Sequence, residues 1–203
     1  GTSTRIGVAD RTSGTGAGGS LCVAAGSARG SGQNSGDLIL ASGRGNNNAN
    51  AGAIKFGYNN GADGTSLDHE WLRIDSSGNI GQGVSPSGWA SAQAGDFYAY
   101  QVGAGIALFG RGSGDEDRGG ISANYYHTGA AEKYIGNGHA GRLYFEDGHI
   151  VYSNAVQNSS GAGAALTLNE RLRIDPSGNT FLGTYDGSMW NNTDAGHGWS
   201  WMQ

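Results

Sequence analysis

Apolar and polar residues alternate at period two in two stretches that read almost identically, Glu70-Trp71-Leu72-Arg73-Ile74-Asp75-Ser76-Ser77-Gly78-Asn79 and Glu170-Arg171-Leu172-Arg173-Ile174-Asp175-Pro176-Ser177-Gly178-Asn179. Successive side chains of an extended backbone point to opposite faces, so Leu72 and Ile74, like Leu172 and Ile174, fall on one face and the Arg and Asp between them on the other. A half-buried strand is expected in each copy. Asp, then Ser or Pro, then Ser, then Gly is the residue order of a type I turn that closes on a left-handed residue. Asp caps it, Pro presets φ, and Gly accepts φ > 0 without strain. Asp75, Gly78, Asp175, Pro176 and Gly178 are therefore expected to shape two equivalent turns, each leading into a return strand at Ile80-Gly81-Gln82-Gly83 and Thr180-Phe181-Leu182-Gly183. A helix would have to hold a Pro and a Gly in its interior.

The same alternation predicts further short strands. Gly52 to Phe56 places Ile54 and Phe56 on one face, and Phe97 to Ala107, broken by Gly103 and Gly105, is the densest apolar run and should hold core strands. Arg5 to Ala9, Leu21 to Ala25 and Asp37 to Ala41 are shorter candidates in Gly- and Ser-rich surroundings. No window keeps apolar residues at helical spacing, so the expected class is all-β. The hairpins repeat, and the repeat extends beyond them: Gly52-x-Ile54-x-Phe56 lines up with Gly148-x-Ile150-x-Tyr152, and Trp89 with Ala94-Gly95 lines up with Trp190 and Ala195-Gly196. A period near one hundred residues is too long for a solenoid and points to two modules in tandem. The expected units are 1–84, with its Gly- and Ser-rich start, then 85–184, then 185–203 as the start of an incomplete third.

ExLRIDxSGN followed by a Gly-spaced strand resembles the repeat of bacteriophage tail fibre and tailspike proteins. The order of Ile121 to Tyr126, Glu132 to Ile135 and Gly148 to Tyr152 ahead of the second copy is also similar. The resemblance covers roughly residues 67 to 185 and departs at Gln82 and Leu182, where the family usually has Ile. It implies an elongated, intertwined homotrimer, a place in the tail fibre of a virion assembled in host cytoplasm, and contacts with other virion tail proteins. It also implies attachment to a bacterial surface polysaccharide or another host receptor. Many relatives carry a C-terminal intramolecular chaperone that is cleaved off after trimerisation, and nothing like it is present up to Gln203. A glycan-depolymerising tailspike and a bacterial surface adhesin are the alternatives.

Composition adds its own argument for shared packing. Leu, Ile, Val and Phe together make up only about one residue in six, a level at which a highly charged chain would be disordered. Yet the net charge is only −5, and five Trp and nine Tyr accompany regular strand patterns. A core completed by other copies of the chain resolves the conflict, and the forty Gly suit close backbone approach in such an assembly. The single cysteine, Cys22, rules out an intrachain disulfide. Lys55 and Lys133 are the only lysines, and no basic stripe for nucleic acid or apolar run for membrane insertion is seen.

Candidate chemistry is sparse. His69, His127, His139, His149 and His197 lack metal-ligand spacing, so no metal or other cofactor is expected, although His197 copies could meet on a trimer axis. Asp115-Glu116-Asp117 lacks the spacing of a calcium loop and reads as a solvated tip. The Glu70 and Asp75 pair recurs as Glu170 and Asp175, which fits a repeated structural role better than the two carboxylates of a glycosidase, and no catalytic residue is assigned. Aromatic residues are the remaining signal. Tyr125 and Tyr126 are adjacent, so one of them is expected to be exposed, and Trp199 and Trp201 share a side of an extended end. These four are the candidate receptor-binding residues, since rings of this kind stack on sugars, with trimer packing as the competing use. Among the residues that distinguish the second module, Tyr134 and Tyr144 are expected in the same aromatic, polar loops.

Overall fold

The computed structural model describes residues 37–42, 52–58, 67–89, 97–112 and 117–183, and every regular element in them is a strand. The class is all-β. The strands are β1 (Ile54–Tyr58), β2 (His69–Ile74), β3 (Ile80–Gln82), β4 (Phe97–Val102), β5 (Ile106–Arg111), β6 (Gly119–Ala123), β7 (Tyr125–His127), β8 (Glu132–Tyr134), β9 (Gly138–Glu146), β10 (His149–Asn158), β11 (Asn169–Ile174) and β12 (Thr180–Leu182). Ten of them form one sheet in the order β1-β2-β3-β4-β5-β6-β9-β10-β11-β12, while β7 and β8 pair separately. All neighbours run antiparallel except β3 and β4. The expected strand at Asp37 to Ala41 does not form. That segment pairs with no described strand, and Leu38, Ile39 and Leu40 stand exposed.

Two three-stranded meanders flank the sheet and share their register. Ile54, Lys55 and Phe56 of β1 face Ile74, Arg73 and Leu72 of β2, as Ile150, Val151 and Tyr152 of β10 face Ile174, Arg173 and Leu172 of β11. The return strands match as well, with Leu72 opposite Gln82 and Leu172 opposite Leu182. Both pairs carry a bulge at the same place: Trp71 is the extra residue between the partners of Phe56 and Gly57, and Arg171 is the extra residue between those of Tyr152 and Ser153. A bulge inserts one residue and so reverses which face the following side chains take.

The strands between the meanders carry the core. β4 buries Phe97, Ala99 and Gln101, and β5 buries Ala107 and Phe109. Tyr144 of β9 and Val151 and Ala155 of β10 continue the same face. The cover is laid on by β7, β8 and two loop segments, through Tyr125, Tyr134, Trp89 and Leu166, with Tyr126, Ala164 and Leu168 packed at its margin. Small residues in the sheet (Ala99, Ala107, Ala140, Ala155) leave room for rings in the cover. Phe109 sits at the centre of these rings, with centroids of Trp89, Phe97, Tyr125 and Tyr144 at 5.3, 5.6, 5.7 and 5.9 Å. Tyr134 pins the cover at two levels: its backbone bonds to residues 163 and 164, and its hydroxyl donates to Val156 O at 2.6 Å.

Candidate functional site

The two repeated turns are built alike. Gly78 N donates to Asp75 O and Gly178 N to Asp175 O, at 3.1 and 2.9 Å, and these glycines take φ of 86° and 85°. Each aspartate then spends its side chain locally. Asp75 Oδ1 accepts from the backbone N of Ser77 and Asn79 at 2.8 and 2.9 Å, and Asp175 Oδ1 accepts from Ser177 and Asn179 at 2.9 and 2.8 Å. The second oxygens accept from the Asn79 and Asn179 amides. Pro176 stands exposed on the second turn, beside Gly148. Asn179 lowers the Asp175 carboxyl below the ordinary carboxylate value, chiefly through its side-chain hydrogen bond. Asn79 does one thing more than its twin: its Oδ1 accepts from Ala99 N at 3.0 Å, tying the first turn to β4, and it is almost wholly buried.

The glutamates of the signature close a second motif that the sequence pattern alone conceals. Residues three apart on a regular strand point to opposite faces, but the bulge at Trp71 brings Glu70 and Arg73 to one face. Arg73 Nε and Nη2 donate to Glu70 Oε1 and Oε2 at 2.6 and 2.8 Å, and Arg173 repeats the fork on Glu170 at 2.9 and 2.7 Å. Bidentate pairing of this kind fixes orientation as well as charge. Hydrogen bonding from Arg73 holds the Glu70 carboxyl below its usual value, and Lys55 Nζ adds a contact at 3.5 Å. Both oxygens of all four acids are thus directed at structural partners.

Of the four expected receptor-binding residues, Tyr125 and Tyr126 are described. Tyr125 is a core residue with no exposed surface, because β7 lies in the cover and turns this ring toward Phe109 while Arg142 Nη1 supplies its hydroxyl with a donor at 2.9 Å. Burial pushes its phenol above the usual range. Tyr126 stays half-buried at the margin of the same cluster, edge-on to Trp89 at 6.4 Å, so neither ring of the pair has the exposure expected of one of them. Trp199 and Trp201 lie outside the described residues, as does His197. The expectation that Tyr134 and Tyr144 belong to exposed loops is corrected, since both sit on strands and are buried.

Arg142 joins the cover to the sheet. Its guanidinium meets Glu132 Oε1 at 3.0 Å and lies 4.3 Å from the centre of the Tyr144 ring. Burial raises the Glu132 carboxyl, and the Arg142 charge only partly offsets it. No periodic signal marks this cluster, whose members come from three strands.

Among the described residues, the opposite face of the sheet has no such cover. Following the partners strand by strand gives one row across all ten: Ile54, Ile74, Ile80, Tyr100, Leu108, Ile121, Leu143, Tyr152, Leu172, Leu182. Every member is a large apolar or aromatic residue. From Tyr100 to Tyr152 each is exposed, and Leu182 is 71% exposed. Beside the row, Ala123 and Gly141 floor a depression of about 600 Å³ walled by Ile106, Ile121, Leu143 and Tyr152. Among the described residues no group of His, Cys, Asp and Glu is placed to hold a metal ion. Compared with protein-family models, with curated proteins and with solved structures, the chain matches none.

Proposed function

We propose that the chain is a structural and host-receptor-binding segment of a bacteriophage tail fibre, present in the virion as an elongated, intertwined homotrimer of two tandem modules and attaching it to a bacterial surface glycan. The observation that carries this reading is the signature decapeptide itself. It occurs twice, each time closing the same bulged meander in the same register, which is what a shaft extended by repetition requires. Its acids support a binding rather than a cleaving role, because Glu70, Asp75, Glu170 and Asp175 spend their oxygens on neighbouring arginines and turn donors. Attachment then falls to side chains outside the repeated frame, of which Tyr126 is the described candidate. Weak contacts to sugar, multiplied over three copies and several fibres, give firm adsorption through avidity.

The test is retention of the fluorescently labelled chain on a panel of bacteria, with and without periodate oxidation of their surface glycans. Retention on a subset of strains, lost after oxidation and with the isolated polysaccharide unchanged in length, is the expected result. Shortening of the polymer would replace attachment by depolymerisation, and retention on none of the panel would remove the receptor-binding role.

A further inference from the structure

The outward row crosses the whole sheet without a polar interruption, and the strands at its centre carry large apolar residues on both faces. On β4 the inward Phe97 and Ala99 alternate with outward Tyr98, Tyr100 and Val102, and on β5 inward Ala107 and Phe109 alternate with outward Ile106 and Leu108. The cover of rings satisfies the first face. From β4 to β9 the outward positions hold Tyr, Val, Ile, Leu, Phe, Gly and Ala, with His139 near the start of β9, and no Asp, Glu, Lys or Arg. A monomer that kept this face in water would expose an apolar surface on the order of 800 Å², taking about 200 Å² for a large apolar side chain and the half exposure these residues show. Single patches on monomers rarely exceed about 600 Å², whereas a stable interface buries about 800 Å² on each partner.

We propose that this face is an interface on which further copies of the same chain pack, with Leu108, Ile121, Leu143 and Tyr152 at its centre. Charge decides between occupants. The outward positions of the central strands, β4 to β9, offer a charged partner no Asp, Glu, Lys or Arg, Arg171 at the β11 edge being bonded to Asn154, and an anionic lipid surface would meet a chain of net charge −5. A second copy brings an equally uncharged, apolar face, so neither side buries an unpaired charge. The relief is open to it too: Leu108 and Ile121 are half exposed, and the hollow that Ile106, Ile121, Leu143 and Tyr152 wall can receive side chains of a facing copy. That there are three copies rests on the fibre reading, whereas the use of this face does not.

The experiment is sedimentation equilibrium of the full chain and of Leu108→Glu and Ile121→Lys, with circular dichroism to verify the strands. Both substitutions are harmless on a face that stays in water. Wild type should sediment as an oligomer, and each variant should keep its strand signal while self-association weakens by about a hundredfold or more, the effect of an unpaired charge in a closed interface. A wild-type mass of one chain, or folded variants with unchanged mass, would overturn the proposal. Should the variants fail to fold, photo-leucine replaces leucine without changing shape in a mixture of isotopically light and heavy chains expressed together. Cross-links from the β5 or β9 leucines that join a light to a heavy peptide support the interface, and cross-links confined to one chain, or none, refute it. Adsorption to cells is measured separately, so that loss of the attachment role with assembly intact is distinguishable from failure of the interface.

Discussion

Gly178 isolates the cost of a backbone conformation from every other effect of substitution. Its φ is 85°, and a Cβ built there would meet no atom within 4 Å, so alanine adds strain without a clash. An L-residue held left-handed loses about 1–2 kcal/mol, against which the stiffer unfolded chain returns about 0.4–1 kcal/mol. Gly178→Ala should therefore destabilise by about 1 kcal/mol, and Gly178→Val, with its branched Cβ, by about 2 kcal/mol. For a chain of this length that is a fall in Tm of about 2–4 °C per kcal/mol. Gly105→Ala is the control, since its Cβ also meets nothing and its φ is not positive. It should be neutral or slightly stabilising. The twin Gly78→Ala should cost at least as much as Gly178→Ala, because its Cβ would lie 3.2 Å from Cε1 of Tyr98. Denaturant melts at one fixed protein concentration provide the assay, since assembly would make Tm depend on concentration. If Gly178→Ala proves as stable as wild type, the turn is not held left-handed and the account of the repeated hairpin fails.

The remaining expectations follow the same structure. Phe109→Ala empties the centre of the ring cluster and should cost about 3–5 kcal/mol by urea denaturation, a loss below 1 kcal/mol meaning that the cover does not pack on the sheet as described. Glu70 and Asp175 titrate below their unfolded values, so their stabilisation is complete above the unfolded value and lost as pH falls through the folded one, that is below about pH 4. Glu70→Gln with Asp175→Asn should flatten the acid limb of the stability curve, and an unchanged slope would reassign acid sensitivity to other groups. Tyr126→Ala should lower adsorption of an assembled protein to host cells while Tyr125→Phe, which removes only the hydroxyl that accepts from Arg142, should weaken stability by about 1 kcal/mol and leave adsorption alone. Unchanged adsorption for Tyr126→Ala would move the binding site elsewhere on the chain.

The hairpins were legible because each of their determinants is local. Alternation assigns the strand, and Asp, Gly and the residue between them assign the turn, within ten consecutive residues. The bulge was not legible, since Trp71 and Arg171 share no chemistry that marks an extra residue. Its trace is a Glu and an Arg three apart on a strand, a spacing that makes no contact unless a residue is inserted between them. Tyr125 shows the limit from the other side. Adjacency predicts that one of Tyr125 and Tyr126 is exposed, yet both rings meet Trp89, because β7 folds back over β5 and Arg142, seventeen residues away, reaches the Tyr125 hydroxyl. Local pattern carries no information on either. The strand at Asp37 to Ala41 failed for a related reason: β propensity without a neighbouring edge to pair with leaves backbone groups to water.

The shortage of large aliphatics and the apolar outward face describe one fact from two directions. A chain with few such residues would be expected to concentrate them inside, yet this one places Leu108, Ile121 and Leu143 outward and fills the inward face largely with alanine and aromatic rings. Rings allow that economy, because each of Phe97, Phe109 and Tyr144 covers the area of several small residues and needs small neighbours to lie against. The aliphatics so released stand in the outward row together with Tyr100 and Tyr152. The signal was present in the sequence as strands with apolar residues at consecutive positions, Phe97-Tyr98-Ala99-Tyr100 and Ile106-Ala107-Leu108-Phe109, rather than at alternate ones. In an antiparallel sheet that pattern means two covers. The described residues supply one of them, and under the interface proposed above a further copy supplies the other, since every copy then completes its neighbour with the same residues.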